Sequence, residues 1–180
     1  MSGIAGMPEF ARDAQLEPEP GERDRVVRAV VLGVLAALAG AALWVAVGAA
    51  SKHEIGFVAV GVGFLVSVSM SRVRSTWRRL PIVAAAIALV AVVVGDFVLD
   101  VVLQAQYESV GFGDAFSAVA TDLTLAKDLF SAYFSPIDLL FWFLAASVAY
   151  RGVKASVVSA RSADAASAPA PAAGPYGPEA

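Results

Sequence analysis

From Ala29 to Ala50 the chain reads AVVLGVLAALAGAALWVAVGAA, 22 residues without a charge. As a helix that run is about 33 Å long at 1.5 Å per residue, enough to cross a hydrocarbon core of about 30 Å. Three further runs follow. Ile55 to Ser71 is 17 uncharged residues, about 25 Å of helix, which spans a bilayer only by standing upright or thinning it. Leu80 to Leu103, LPIVAAAIALVAVVVGDFVLDVVL, is uncharged as far as Gly95 and then carries Asp96 and Asp100. Pro81 falls in its first turn, where a missing N–H costs nothing. The last run needs residues 134–152, because Leu139 to Tyr150 alone is 12 residues and too short to span. Ser135, Pro136 and Asp138 then read as its start: an N-cap hydroxyl, a proline at the first position, and an acid where the helix dipole favours one.

A chain of 180 residues that is 58% hydrophobic, with a mean hydropathy of +0.71, carries more apolar surface than a soluble domain of that size hides. The expected fold is all-α, a polytopic bundle of four transmembrane helices with spans at about 29–50, 55–71, 80–103 and 134–152. The expected domain plan is a disordered arm at 1–25, a membrane domain at 26–154 and a disordered tail at 155–180. The arm holds Pro8, Pro18 and Pro20 among six acids and three arginines, and the tail is Ala, Ser and Pro with few charges. Small residues at Gly48, Ala49 and Ala50 raise the alternative of a cleaved signal. The run before them exceeds a signal h-region and another apolar run follows at once, so an uncleaved anchor is expected.

Between the third and fourth spans, Phe112, Phe116, Val119, Leu123, Ala126, Phe130 and Tyr133 recur at steps of three and four. Asp114, Asp122, Lys127 and Asp128 fall largely elsewhere on the wheel. This predicts one amphipathic helix on the extracytoplasmic side. Orientation follows from the basic residues. With both termini cytoplasmic, Arg12, Arg23, Arg25, Arg28, Arg72, Arg74, Arg78, Arg79, Arg151, Lys154 and Arg161 lie inside, and Lys52 and Lys127 outside.

The candidate chemistry is acidic. Glu54 opens the second span, Asp96 and Asp100 lie one turn apart toward the outer end of the third, and Asp138 opens the fourth. A carboxylate at the depth of Asp96 costs about 1–3 kcal/mol and faces the bundle or a wet cavity. Two readings stand: a proton or cation site of Asp96 and Asp100 assisted by Glu54, His53 or Asp138, or wetted helix-end acids with Asp96 as a hydrogen-bonded packing group. Arg72, Arg74, Arg78 and Arg79 form a basic turn beside Trp77, read as a topology anchor or as a lipid-headgroup contact. Gly33, Ala37, Gly40, Ala59 and Gly63 follow the spacing of small residues that lets helices approach closely where lipid supplies no hydrophobic drive.

Other chemistries lack their residues. There is no cysteine, so thiolate metal sites, disulfides and cysteine nucleophiles are excluded, and a single histidine excludes a two-histidine metal site within the chain. No nucleophile elbow, phosphate-binding glycine loop or zinc-protease motif occurs, and a net charge of -3 points to no nucleic-acid partner. No cofactor, metal or enzymatic activity is expected.

The turn into Glu54-Ile55-Gly56, with Ala59, Gly61 and Gly63 after it and Gly95-Asp96 in the third span, resembles small multi-span bacterial membrane proteins of unassigned function. Their glutamate follows an aromatic residue, where this chain has His53. The resemblance implies a multi-span bundle and no activity. The wealth of Ala, Val and Arg beside three lysines resembles proteins of high-GC bacteria. The expected function is that of a non-catalytic accessory or scaffold component of the bacterial inner membrane. Its partners would be the bilayer and another membrane protein or a second copy. The alternative is a small transporter or channel component using Asp96 and Asp100.

Overall fold

A computed structural model describes residues 20–51, 57–133 and 135–167. All the regular structure among them is helical: α1 (Pro20–Ser51), α2 (Phe57–Ser71), α3 (Leu80–Glu108), α4 (Phe112–Thr121), α5 (Leu123–Tyr133) and α6 (Pro136–Ser167). Three of these, α1, α3 and α6, are long and apolar enough to cross a membrane. At 15 residues, α2 is about 22 Å long, short of a hydrocarbon core.

Contacts along the helices fix their directions. Gly33 lies against Ile87, Gly95 against Trp44, and Gly48 against Leu99, so α1 and α3 are parallel. Gly33 also meets Met70 while Gly40 meets Val62 and Leu65, so α2 runs opposite to α1. Gly63 meets Ala145 and Ser67 meets Gly152, so α6 runs with α2. The bundle is therefore up, down, up, down. Around its circumference the order is α1, α2, α6, α3, with α2 and α3 touching across the middle and α1 and α6 not packed on each other. The end holding Pro20, the turn at 72–79 and Ser167 is called proximal here, and the end holding Ser51, Glu108 and Pro136 distal.

The core is built from small side chains. Ala29, Ala37, Ala84, Ala88 and Ala149 surround Val66, Met70, Leu80 and Val153 in the proximal half, and Trp44, Ala59, Val62, Val92, Leu99 and Ala145 fill the distal half. Alanine and glycine bring backbones together, so that many weak dispersion contacts form along each seam. The outward side chains are large and apolar: Val31, Leu35, Leu38 and Leu43 on α1 are at least half exposed, as are Ile82, Val90 and Val94 on α3 and Leu139, Leu140 and Phe143 on α6.

Three expectations about boundaries are corrected. Residues 20–25, expected in the arm, are the first turns of α1, and 155–167, expected in the tail, continue α6 with Val157 and Ala160 buried on the bundle. The remainder of both tails, with His53, Glu54 and Phe134, lies outside the described residues. The single amphipathic helix is two helices. Asp122 stops α4 in an extended conformation and caps α5, its Oδ1 accepting from the N–H groups of Thr124 and Leu125 at 2.8 and 3.2 Å. Val119 is buried against Val101, with Ala115, Ala126 and Phe97 around it, so this pair of helices packs on the distal part of α3. Phe112 and Phe116 instead stack on each other at a 5.8 Å centroid separation, with their rings partly exposed.

Candidate functional site

The distal acids do different jobs. Asp138 accepts from the Ser135 N–H at 2.6 Å, while its own N–H donates to the Ser135 carbonyl at 2.9 Å. That is the acid-to-backbone half of a capping box, and it ties Asp138 to the start of α6. Asp96 is half-buried and its Oδ2 accepts from the Trp142 indole N–H at 3.3 Å, linking α3 to α6. Asp100, one turn further along α3, is 5% exposed. So Asp96 and Asp100 share a stretch of α3, Asp138 serves a helix terminus, and Glu54 lies outside the described residues. No cluster of three or more His, Cys, Asp or Glu suited to a metal occurs among the described residues.

The five small packing residues all sit at contacts. Ala59 and Ala37 are buried, Gly33 faces the flexible Met70 side chain, and Gly40 faces Val62 and Leu65. Gly63 is the tightest of these: a Cβ built on it would overlap the Ala145 backbone carbonyl of α6. At Gly152 a Cβ would overlap the Ser67 hydroxyl of α2. These two crossings make α2 and α6 a close pair.

The proximal end holds a polar assembly that hydropathy does not reveal. Glu22, in the first turn of α1, uses one carboxylate oxygen to accept from the Ser75 hydroxyl, the Thr76 N–H at 2.6 Å and the Trp77 N–H at 3.0 Å. Ser75 is 1% exposed, so the carboxylate satisfies a hydroxyl that water does not reach. Arg25 lies 3.7 Å from the other Glu22 oxygen. From the opposite side α6 holds the same turn: Arg161 Nε donates to the Thr76 carbonyl at 2.8 Å and Ser156 Oγ to the Ser71 carbonyl at 3.2 Å. The basic turn divides in consequence. Arg72 and Arg74 join Arg25 and Arg28 around a cleft between α1 and α6, while Arg78 and Arg79 fall outside it.

No family model, curated protein or solved structure matches this chain.

Sequence reasoning singled out neither Glu22 nor Ser75, and it left Arg25, Arg28 and Asp164 without a site. An acid in a first helical turn is an available signal for the first of these, but its partners lie 53 to 55 residues away. Nothing local announces them.

Proposed function

We propose that this chain is an integral protein of the bacterial inner membrane that crosses four times, has both termini in the cytoplasm, and acts without catalysis as an accessory or scaffold component through helix–helix contacts. The observation that carries the four-pass reading is the parallel direction of α1 and α3. The chain leaves α1 at the distal end and enters α3 at the proximal end, and α2 runs back along the bundle between them. If α1 and α3 cross a bilayer, this connection crosses it too. The short α2 is tolerable in that role because α1, α3 and α6 all pack against it and a short span is accommodated by thinning the bilayer. The outward leucines, valines and phenylalanines of the three long helices favour lipid over water as the surrounding medium. The lysine and arginine asymmetry supports a cytoplasmic proximal end. The scaffold reading draws on the structural use of Asp138 and Asp96, which ties these two acids to capping and packing.

Reporter fusions test the reading. Cytoplasmic reporters active at both termini and periplasmic reporters active in the 109–133 segment are the expected result, and termini on opposite faces sink it. Crosslinking from single cysteines on the outward face of α1 then tests the scaffold role, with a discrete protein adduct expected.

One observation favours a second reading, a proton or cation carrier: Asp100 is buried one turn from Asp96, and a buried carboxylate in a membrane helix marks an ion path by default. Proteoliposomes carrying wild type or the Asp96→Asn, Asp100→Asn double variant decide it. Ion-dependent flux lost in the variant establishes the carrier, and no flux in either removes it.

A further inference from the structure

We propose that the proximal cleft between α1 and α6 is a binding site for a phosphate-bearing anion. The circumferential order of the bundle leaves α1 and α6 apart, and the turn at 72–79 fills only part of the gap between them. What is left is a cleft of about 520 Å³, within the range of small-molecule sites. Arg25 and Arg28 enter it from α1, Arg72 and Arg74 from the turn, and Asp164 from α6, with Thr76 among the other residues of the lining.

Three features argue for an anion. The lining sets four guanidinium groups against one carboxylate, and with Arg25 beside Glu22 at 3.7 Å a local surplus of positive charge still remains in a chain whose net charge is -3. Arg25 and Arg28 are three residues apart on one helical face, which places like charges side by side. Among the described residues Arg28, Arg72 and Arg74 form no ion pair, so an incoming anion replaces repulsion with attraction. Guanidinium matches phosphate in particular, because its planar fork donates two parallel N–H groups to two oxygens. On the α6 side Ala160 and Ala163 add little bulk, which leaves the room.

The phosphate has two sources. Arg28 immediately precedes the apolar run that begins at Ala29, and Arg72 immediately follows the end of α2. The cleft therefore lies at the polar edge of the apolar belt, the depth at which headgroup phosphates of an anionic phospholipid sit. That source rests on the membrane reading above; a soluble phosphate compound does not.

The test uses the full chain in two settings. In nanodiscs of phosphatidylcholine with a small fraction of phosphatidylglycerol, native mass spectrometry reads the phosphatidylglycerol retained per chain. In detergent, calorimetry reads inorganic pyrophosphate binding, which does not depend on topology. Each basic group near an anionic surface is worth about fivefold in affinity, so R28Q/R74Q is expected to weaken binding roughly twenty-five-fold. R78Q/R79Q removes the same charge from the same turn outside the cleft and is expected to change it far less. D164N removes the lone carboxylate and is expected to tighten binding by a few fold. Retention of phosphatidylglycerol without pyrophosphate binding assigns the site to a lipid headgroup, and pyrophosphate binding without lipid retention assigns it to a soluble anion. Binding of neither, or equal losses in the two arginine pairs, overturns the proposal. Should R28Q/R74Q fail to fold, D164N decides: unchanged or weaker binding overturns it.

Discussion

Glu22 and Arg161 hold the two sides of one residue: the Glu22 carboxylate accepts from the Thr76 N–H at 2.6 Å, and Arg161 Nε donates to the Thr76 carbonyl at 2.8 Å. The helices that carry them, α1 and α6, do not pack on each other. Thr76 is thus the strut between them at the proximal end, and the turn that contains it is a structural member of the bundle as well as a connection. Its geometry also shapes the arginine cleft, since Thr76 lies in the lining.

The first prediction concerns this strut. Glu22→Ala removes the acceptor of the buried Ser75 hydroxyl and of the Thr76 N–H, while the Trp77 N–H keeps the Ser75 Oγ at 3.3 Å. Hydrogen bonds to a charged group are worth about 1.5–3 kcal/mol each, and orphaned buried donors cost about 1–3 kcal/mol. The turn relaxes toward water, so a net loss of about 2–3 kcal/mol is expected. Arg161→Ala should lose less. Because both act on Thr76, the double variant should differ from the sum of the singles by at least about 0.5 kcal/mol. Reversible unfolding in a fixed detergent measures all three, and strict additivity removes the strut.

The second prediction contrasts two glycines two residues apart on α2. A Cβ on Gly63 overlaps the Ala145 backbone carbonyl, whereas nothing lies within 4 Å of a Cβ on Gly61. A flexible side chain yields to a methyl group, but a helix backbone yields only by moving the helix. Gly63→Ala is expected to cost about 1–3 kcal/mol through forced separation of α2 and α6. Gly61→Ala should be neutral or stabilising by up to about 1 kcal/mol, because alanine suits a helix better than glycine. Thermal unfolding of the two variants side by side tests this, and equal effects contradict the packing.

The third concerns the start of α6. Asp138→Ala removes the acceptor for the Ser135 N–H and should cost about 1 kcal/mol. The loss should appear as faster amide exchange confined to the first turn of α6. Asp138→Asn keeps a side-chain acceptor and should retain most of the protection. Slowed or unaltered exchange in the alanine variant contradicts the capping role.

The long apolar helices were legible because hydropathy reports the medium around a helix. Charge-free runs placed α1, α3 and the first half of α6, and the start signal at Ser135-Pro136 coincides with the observed start at Pro136. Hydropathy does not report where a helix ends in water. Both α1 and α6 extend past their apolar runs, because Glu22 is held by the 72–79 turn and Val157 and Ala160 still find neighbours. The break at Asp122 was missed because its apolar neighbours keep the helical period across it, while the aspartate signals an N-cap only when read against the two amides after it. The arginine cleft was half visible. Arg72 and Arg74 stood out as a basic turn, but their meeting with Arg25, Arg28 and Asp164 depends on the circumferential order of the helices, which no local pattern encodes.

The last prediction separates the packing role of Asp96 from an ionic one. Its Oδ2 accepts from the Trp142 indole N–H at 3.3 Å across the α3–α6 seam. If packing is its job, what matters is an acceptor at that position rather than a negative charge. Asp96→Asn, with an amide oxygen that still accepts, should then unfold within about 0.5 kcal/mol of wild type. Asp96→Ala, which removes this acceptor, and Trp142→Phe, which removes the donor, should each cost about 1–2 kcal/mol. The double variant Asp96→Ala, Trp142→Phe should cost less than the sum, because both changes remove the same hydrogen bond. Unfolding of the four variants in one detergent gives the cycle. An asparagine variant as damaged as the alanine one shows that the charge itself is needed at this depth, and it would return Asp96 to the ion-path reading.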